Sequence, residues 1–309
     1  MGTLLSRRHG HADRGYNSVV LRLTHPFAGP LSRFVFALTV LILSRGIGVA
    51  QTSSPAFWEL LPEKVDAMLL APPDGDKVRY ARLLEYFSDL HCTGSAMEEP
   101  IVPKHGKNLI CTLPGKDAEQ IVVAARYEHR DRLNGVERGW NESVMLALLY
   151  NALRAELRQH TFVFVALSGR AGQDAFLESL RKKRRPSPKL LVVLDTLGLG
   201  DPWFYTAPEF PITAKGKRRV AMKKALGSEA AATEEIERIP ARTLTLPGWA
   251  LQNSLLSDGD EIPSILVSSA LVSSATNDTV PPKAFHRNFE FLAYYLCRID
   301  ARFSNPIPN

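Results

Sequence analysis

The chain has 309 residues, 45% of them hydrophobic and 23% charged. This composition excludes a disordered or fibrous chain and matches an ordinary globular domain. Formal net charge is +6 and pI is near 9.2, which tilts partner choice towards anions. Three cysteines, with no CxxC and no Cys/His zinc spacing, exclude both a disulfide-dense scaffold and a structural zinc motif.

The first fifty residues read as an export signal. Arg7, Arg8, Arg14, Arg22 and Arg33 precede FVFALTVLIL (Phe34 to Leu43), an apolar run shorter than the roughly 20 residues a membrane span needs. Gly48 and Ala50 fit a small-x-small cleavage site before Gln51. The expectation is a signal peptide over 1–50 and one domain over 51–309. The protein would then be secreted or periplasmic, and would meet a membrane only through an uncleaved signal segment. Export permits a disulfide. Cys92 and Cys111 flank the first predicted strand and can pair, which leaves Cys297 as a buried thiol in an apolar helix.

Further elements follow in order. Asp76–Leu90 has helical spacing of its apolar positions. Asn108–Thr112 and Gln120–Ala125 read as short strands around the turn LPGKDAE. Trp140–Glu156 is predicted helical, Thr161–Leu167 (TFVFVAL) a buried strand, Gly172–Lys183 a helix, and Leu190–Leu194 a second buried strand ending at Asp195. Ala214–Leu226 is a basic helix, Ile262–Val267 a strand and Phe285–Ile299 a closing helix. Strands alternating with helices predict a three-layer αβα fold with a largely parallel, mixed central sheet. Thr206–Pro247 reads as an inserted cap or lid.

Chemistry in open α/β sheets gathers where strands end. Here IVVAA runs into a loop carrying Arg126, Arg130, Arg132 and Arg138, where a nucleophile or metal ligand would be sought. Four blocks in order, NLICTLPGKDAEQIVVAARYEH, HTFVFVALSGRAG, VVLDTLGLG and IPSILV, resemble metallopeptidase family twenty-eight, the zinc aminopeptidases and glutaminyl-cyclase relatives. The resemblance runs from about Leu84 to Ile299. It implies a zinc-exopeptidase-like fold and a site of two zinc ions held by His and carboxylates, with a Glu as base for the bridging water. Paired metals lower the pKa of that water and clamp the transition state.

Residue by residue, the pattern departs from the family. The His-x-Asp motif becomes Arg126-Tyr127-Glu128. The bridging Asp falls at Arg138, or at Trp140 in a shifted alignment. The Glu-Glu pair, base then ligand, becomes Gly169-Arg170. The Asp after the next strand survives as Asp195, and the last His falls at Ser274. Four of five ligand positions and the general base are lost. Arginine stays protonated and has no lone pair to offer a metal. His129 lies further into the loop and lacks carboxylate partners.

No zinc or other cofactor is therefore expected, and no catalytic residue is assigned. The former metal-site positions Arg126, Glu128, Arg138, Gly169, Arg170, Asp195 and Ser274 become candidate binding residues. At about 5 Å and an effective dielectric of about 20, each inward-facing arginine pair would repel by roughly 3 kcal/mol. Three outcomes are open: a closed ionic network with Asp195 and Glu128, a free guanidinium that takes an anion, or arginines turned to solvent. A planar guanidinium fork suits a small anion or a peptide carboxylate.

No GxSxG, HExxH, Walker loop or GxGxxG is present. The basic runs RKKRRPSPK and KGKRRVAMKK read as solvated helix ends, and no nucleic-acid partner is expected. Asp258, Asp260 and Glu261 read as a solvated loop. The expectation is a pseudopeptidase that binds or scaffolds. The alternative is a divergent hydrolase or aminopeptidase acting on peptides through non-standard residues.

Overall fold

Runs such as QIVVAAR and TFVFVAL, rich in β-branched residues and phenylalanine, form the strands at the centre of the protein, where a pleated surface accommodates them. The computed structural model describes residues 62–128, 139–182, 184–186, 188–206, 214–245, 262–269 and 282–304. The expected signal segment, its cleavage site, Arg138, Ser274 and the Asp258–Glu261 cluster lie outside the described residues.

In chain order the elements are α1 (Pro62–Leu70), α2 (Asp76–Asp89), a single 3-10 turn (Gly94–Ala96), β1 (Met97–Glu98), β2 (Ile101–Val102), β3 (Gly106–Lys107), β4 (Leu109–Leu113) and β5 (Gln120–Arg126). There follow α3 (Trp140–Arg154), β6 (Thr161–Leu167), α4 (Gly169–Arg181), β7 (Leu190–Leu194), β8 (Trp203–Thr206), α5 (Ala214–Glu237), β9 (Arg242–Thr245), β10 (Ser264–Ser268) and α6 (Pro282–Phe303). Among the described residues, eight strands make one mixed sheet in the order β1-β4-β6-β5-β7-β10-β8-β9, and β2 and β3 form a separate hairpin. The central pairs β6-β5, β5-β7 and β7-β10 are parallel. β4 joins β6, and β8 joins β10, in antiparallel fashion.

The sheet is covered on both faces, which is why its central strands read as continuous apolar runs. Ile121, Val123, Phe162, Phe164 and Val192 share one core with Val144 and Leu148 of α3, Leu226 of α5 and Phe291 and Tyr295 of α6. The alternate residues Val122, Ala124, Val163, Val165 and Val193 share the other with Phe176, Leu177 and Leu180 of α4. The architecture is thus three-layer αβα, as the alternation of elements predicts. Phe164 sits on the middle strands with no exposure. Truncating such a phenylalanine to alanine costs about 3–5 kcal/mol.

Three expectations need correction. Thr206–Pro247 is not a separate cap over its described residues: β9 pairs parallel with β8 and extends the main sheet, with α5 between them in sequence. α5 does not stop at Leu226, because Gly227 is followed by SEAAATEEIE, strong helix formers. A glycine inside a helix costs only about 0.5–1 kcal/mol, too little to end one. α4 begins at Gly169 rather than Gly172, directly at the end of β6. Cys92 and Cys111 do pair, with Cα atoms 6.0 Å apart, and Cys297 is buried and outside the disulfide.

The N-terminal ends of the parallel strands carry a buried polar knot. His160, just before β6, is fully buried, and its Nδ1 lies 2.8 Å from Asp300 of α6. The same carboxylate accepts the backbone N–H groups of Gln159 and His160, each at 2.8 Å. Lys189, just before β7, donates to the Phe303 carbonyl at 2.7 Å, pairs with Glu119, and lies 3.0 Å from His160 Nε2.

Candidate functional site

At the opposite, C-terminal ends of the same strands, β5 runs out through Arg126, Tyr127 and Glu128. The backbone there is held from several sides. Arg79 of α2 is buried and donates to the Glu128 carbonyl at 3.1 Å and to the Pro73 carbonyl at 3.0 Å. Gly139, in the left-handed region at φ 85°, packs so close that a Cβ there would overlap the Glu128 carbonyl oxygen. Glu142 of α3 accepts the Gly139 N–H at 2.7 Å and fixes the entry of that helix. Tyr127 is buried, and its hydroxyl donates to the Lys107 carbonyl at 2.7 Å.

The side chains of this stretch form a pair: Arg126 Nη1 lies 3.7 Å from Glu128 Oε1, with both groups largely buried. Beside them β6 passes through Ser168 into α4. Gly169 takes φ 64°, and a Cβ on it would sit well inside 3.0 Å of Glu128 Oε2. The Glu128 carboxylate therefore occupies the space a side chain at 169 would need. Asn108 holds this turn in place: its Oδ1 accepts the Ser168 N–H and its Nδ2 donates to the Gly172 carbonyl, both at 2.9 Å. A Cβ at Gly172 would strike the same Oδ1, so the two residues fit as a unit. Arg170 points along α4 to Asp174 at 3.2 Å, with its side chain 45% exposed.

Asp195 ends β7, with its N–H on the Val267 carbonyl at 3.0 Å. Thr196 follows at φ 51°, a conformation that strains a β-branched residue. The loop is pinned by buried polar groups. Asn288 of α6 accepts the Gly198 N–H at 2.9 Å and donates to the Gly200 carbonyl at 2.8 Å. Ser269 donates to the Thr196 carbonyl at 3.0 Å and accepts from the Leu199 N–H at 2.9 Å. The structure thus brings Arg126, Glu128 and Gly169 together, sets Arg170 beside Asp174, and places Asp195 at the end of the adjacent strand.

A cavity of about 500 Å³ opens on this site, with Glu128, Ser168 and Gly169 in its lining. Its walls come from α2, the β2–β3 hairpin and the start of α4, including Lys77, Tyr80, Lys104, Lys107, Tyr127 and Arg170. Burial pushes the Tyr80 hydroxyl well above its ordinary pKa, and its hydrogen bond to Glu99 adds to the rise. That bond, together with Lys107 at 3.1 Å, holds the Glu99 carboxyl below its usual range. Burial likewise raises Tyr127.

Among the described former metal-site positions Glu128 and Asp195 carry a donor side chain, and they belong to no group of three ligand residues within reach of one metal. Arg126 and Arg170 carry no lone pair for a metal, and Gly169 has no side chain. Among the described residues, the group of three His, Cys, Asp or Glu side chains with ligand atoms within 4.8 Å of one another is Asp117, Glu119 and His160, at the other end of the strands. There Lys189 already holds a cation against His160 Nε2 and Glu119.

No family model and no curated protein matches the chain. Solved structures do. A Macrostomum lignano glutaminyl cyclase superposes with TM-score 0.57 at 14% identity, covering 80% of this chain and 91% of that one. An Acidobacteriales glutaminyl cyclase gives 0.55 at 16%, covering 83% and 99%. The Legionella pneumophila aminopeptidase LapA gives 0.54 at 13%, covering 86% and 79%. The protein has the fold of glutaminyl cyclases and aminopeptidases. Against a Bacillus subtilis zinc aminopeptidase, by contrast, the match spans only 50% of that chain's length. This aminopeptidase-like fold accounts for the position of the site at the carboxyl ends of the parallel strands.

Sequence reasoning located the strand ends but missed what positions them. Arg79, Asn108, Asn141, Ser269 and Asn288 are buried polar residues in otherwise apolar surroundings. A buried polar group needs a partner; for Arg79, Asn141 and Asn288 the hint in sequence is a polar residue within a helix, and Asn108 and Ser269, at strand ends, carry none.

Proposed function

We propose that this chain is an exported, non-catalytic member of the aminopeptidase-like fold that binds at the strand ends rather than hydrolysing there. The observation that carries the reading is the Glu128 carboxylate lying in the side-chain space of Gly169, the position that the family resemblance assigns to the general base. The carboxylate that takes that space is already paired with Arg126, and Arg126 and Arg170 stand where metal ligands would be, with no lone pair to offer one. The Arg126–Glu128 pair supports the ionic-network outcome for these two residues. Arg170, directed to Asp174 and half exposed, supports the solvated outcome for itself. Export is supported by the Cys92–Cys111 disulfide, which persists in oxidising compartments. Among the described residues, no helix is long and apolar enough to cross a membrane.

The test is elemental analysis of purified full-length chain after dialysis, combined with aminoacyl-chromogen and glutaminyl-cyclisation assays. The expected result is far less than one zinc per chain and no turnover above the uncatalysed rate. Two retained zinc ions, or turnover abolished by a chelator, would overturn the proposal in favour of a divergent hydrolase.

A further inference from the structure

We propose that the cavity between α2, the β2–β3 hairpin and the start of α4 binds a phosphomonoester whose organic body lies against Tyr80 and Tyr127. The volume, about 500 Å³, is that of a small-molecule site. The two tyrosines offer ring surface, because their hydroxyls are already engaged, Tyr80 by Glu99 and Tyr127 by the Lys107 carbonyl. Their ring centroids are 5.9 Å apart and tilted by 49°, forming a corner rather than a slot.

The charges of the lining choose the head group. Lys107 is matched by Glu99, Arg170 by Asp174 and Glu128 by Arg126. The lining carries two further cations, Lys77 and Lys104, and one further carboxylate, Asp76, so positive charge is in excess. No ion pair of Lys77 or Lys104 occurs among the described residues. Both are compact ammonium point charges, and a phosphomonoester, which carries about −1.5 to −2 at neutral pH, draws more from two of them than a single carboxylate charge does.

Lys104 adds a separate argument. It sits third in the turn Val102-Pro103-Lys104-His105, closed by the His105 N–H on the Val102 carbonyl at 3.0 Å. Its φ is 67°, at the turn position that glycine or asparagine fills without strain. A lysine is kept there at a conformational cost, and it lines the cavity. Because Glu128, Gly169 and Arg170 of the former metal-site positions also line the cavity, the inference rests on the reading that the strand ends bind rather than hydrolyse.

The experiment is isothermal titration of the full chain with phenyl phosphate, inorganic phosphate and benzoate at fixed ionic strength, alongside thermal melts. Phenyl phosphate should saturate, with benzoate and inorganic phosphate each weaker by about tenfold or more. Lys104→Gly should raise the ligand-free thermal midpoint by removing strain, yet weaken phenyl phosphate by about tenfold. Lys77→Met should weaken it similarly with the midpoint unchanged. Unchanged phenyl phosphate affinity in both variants, equal affinity for benzoate, or no saturation at millimolar concentration would each overturn the proposal. None of these readouts depends on metal content or turnover.

Discussion

Replacing Gly169 with alanine tests whether the Glu128 carboxylate fills the space of the missing base. Two costs arise. At φ 64° a Cβ approaches the neighbouring backbone, which costs about 1–2 kcal/mol for a non-glycine residue. The new methyl also overlaps Glu128 Oε2 and forces that carboxylate aside, stretching its 3.7 Å pair with Arg126. The Coulomb energy of such a pair at an effective dielectric of 20 is about 4 kcal/mol. The Glu128 side chain keeps 27% exposure, so solvent screening reduces the net loss to about 1 kcal/mol. Gly169→Ala should therefore destabilise by about 2–3 kcal/mol in the wild type, but by only about 1–2 kcal/mol in a Glu128→Ala background, where the methyl has room. Urea melts of the wild type, both single variants and the double variant measure the difference, provided the m-value stays constant. Equal losses in both backgrounds would show that the carboxylate does not occupy that space. No loss in either would show that residue 169 is not held in the left-handed region.

Other expectations follow from single contacts. Asn108→Ala removes the acceptor of the Ser168 N–H and the donor to Gly172, so a loss of about 2–3 kcal/mol is expected in denaturant melts. Cys92→Ser with Cys111→Ser should cost about 3 kcal/mol relative to the oxidised protein, the amount expected for the sequence separation of 19; melts in reductant should show the same loss for the wild type and none for the variant. The lowered pKa of Glu99 contributes stability that is complete above the ordinary glutamate value of about 4.3 and lost as pH falls below it; a pH series of melts should show a shallower acid limb for Glu99→Gln. Lys189→Ala should open the Asp117, Glu119 and His160 group to a divalent metal, so that zinc raises the variant's thermal midpoint and leaves that of the wild type unchanged.

Most of the fold was legible because its central strands are buried on both faces and helices such as α4 and α6 are amphipathic. TFVFVAL and LLVVL can hardly lie anywhere but inside a covered parallel sheet. The two-residue strands β1 to β3 carry no periodicity and gave no signal, and α1 is too short to show one. The Trp203–Thr206 strand was hidden because WFYT pairs only near the sheet edge, beyond β10. At the strand ends, the family resemblance singled out Arg126, Gly169 and Asp195, but side-chain direction is a tertiary property. The i, i+4 spacing of Arg170 and Asp174 was a local cue to the outward pair. Nothing in the sequence announced that Glu128 would fill the space beside Gly169, since that depends on how β5 and β6 run side by side.

The place of β8, α5 and β9 at one margin of the sheet bears on how the molecule breathes. Among the described residues β9 has a bonded neighbour on one side only, and its four residues stand at the end of the strand order. Closing that last pair requires a long excursion of chain through α5, anchored to α6 by Tyr295 on the Leu226 carbonyl at 3.3 Å and by Arg298 on Glu229 at 3.1 Å. Such a margin can detach at a free energy below that of global unfolding. Amide hydrogens of β9 should therefore exchange with solvent through a partial opening, faster than those of β5 and β6. The strands that hold Arg126 and Ser168 would stay closed while the margin opens, so fluctuation there leaves the site intact.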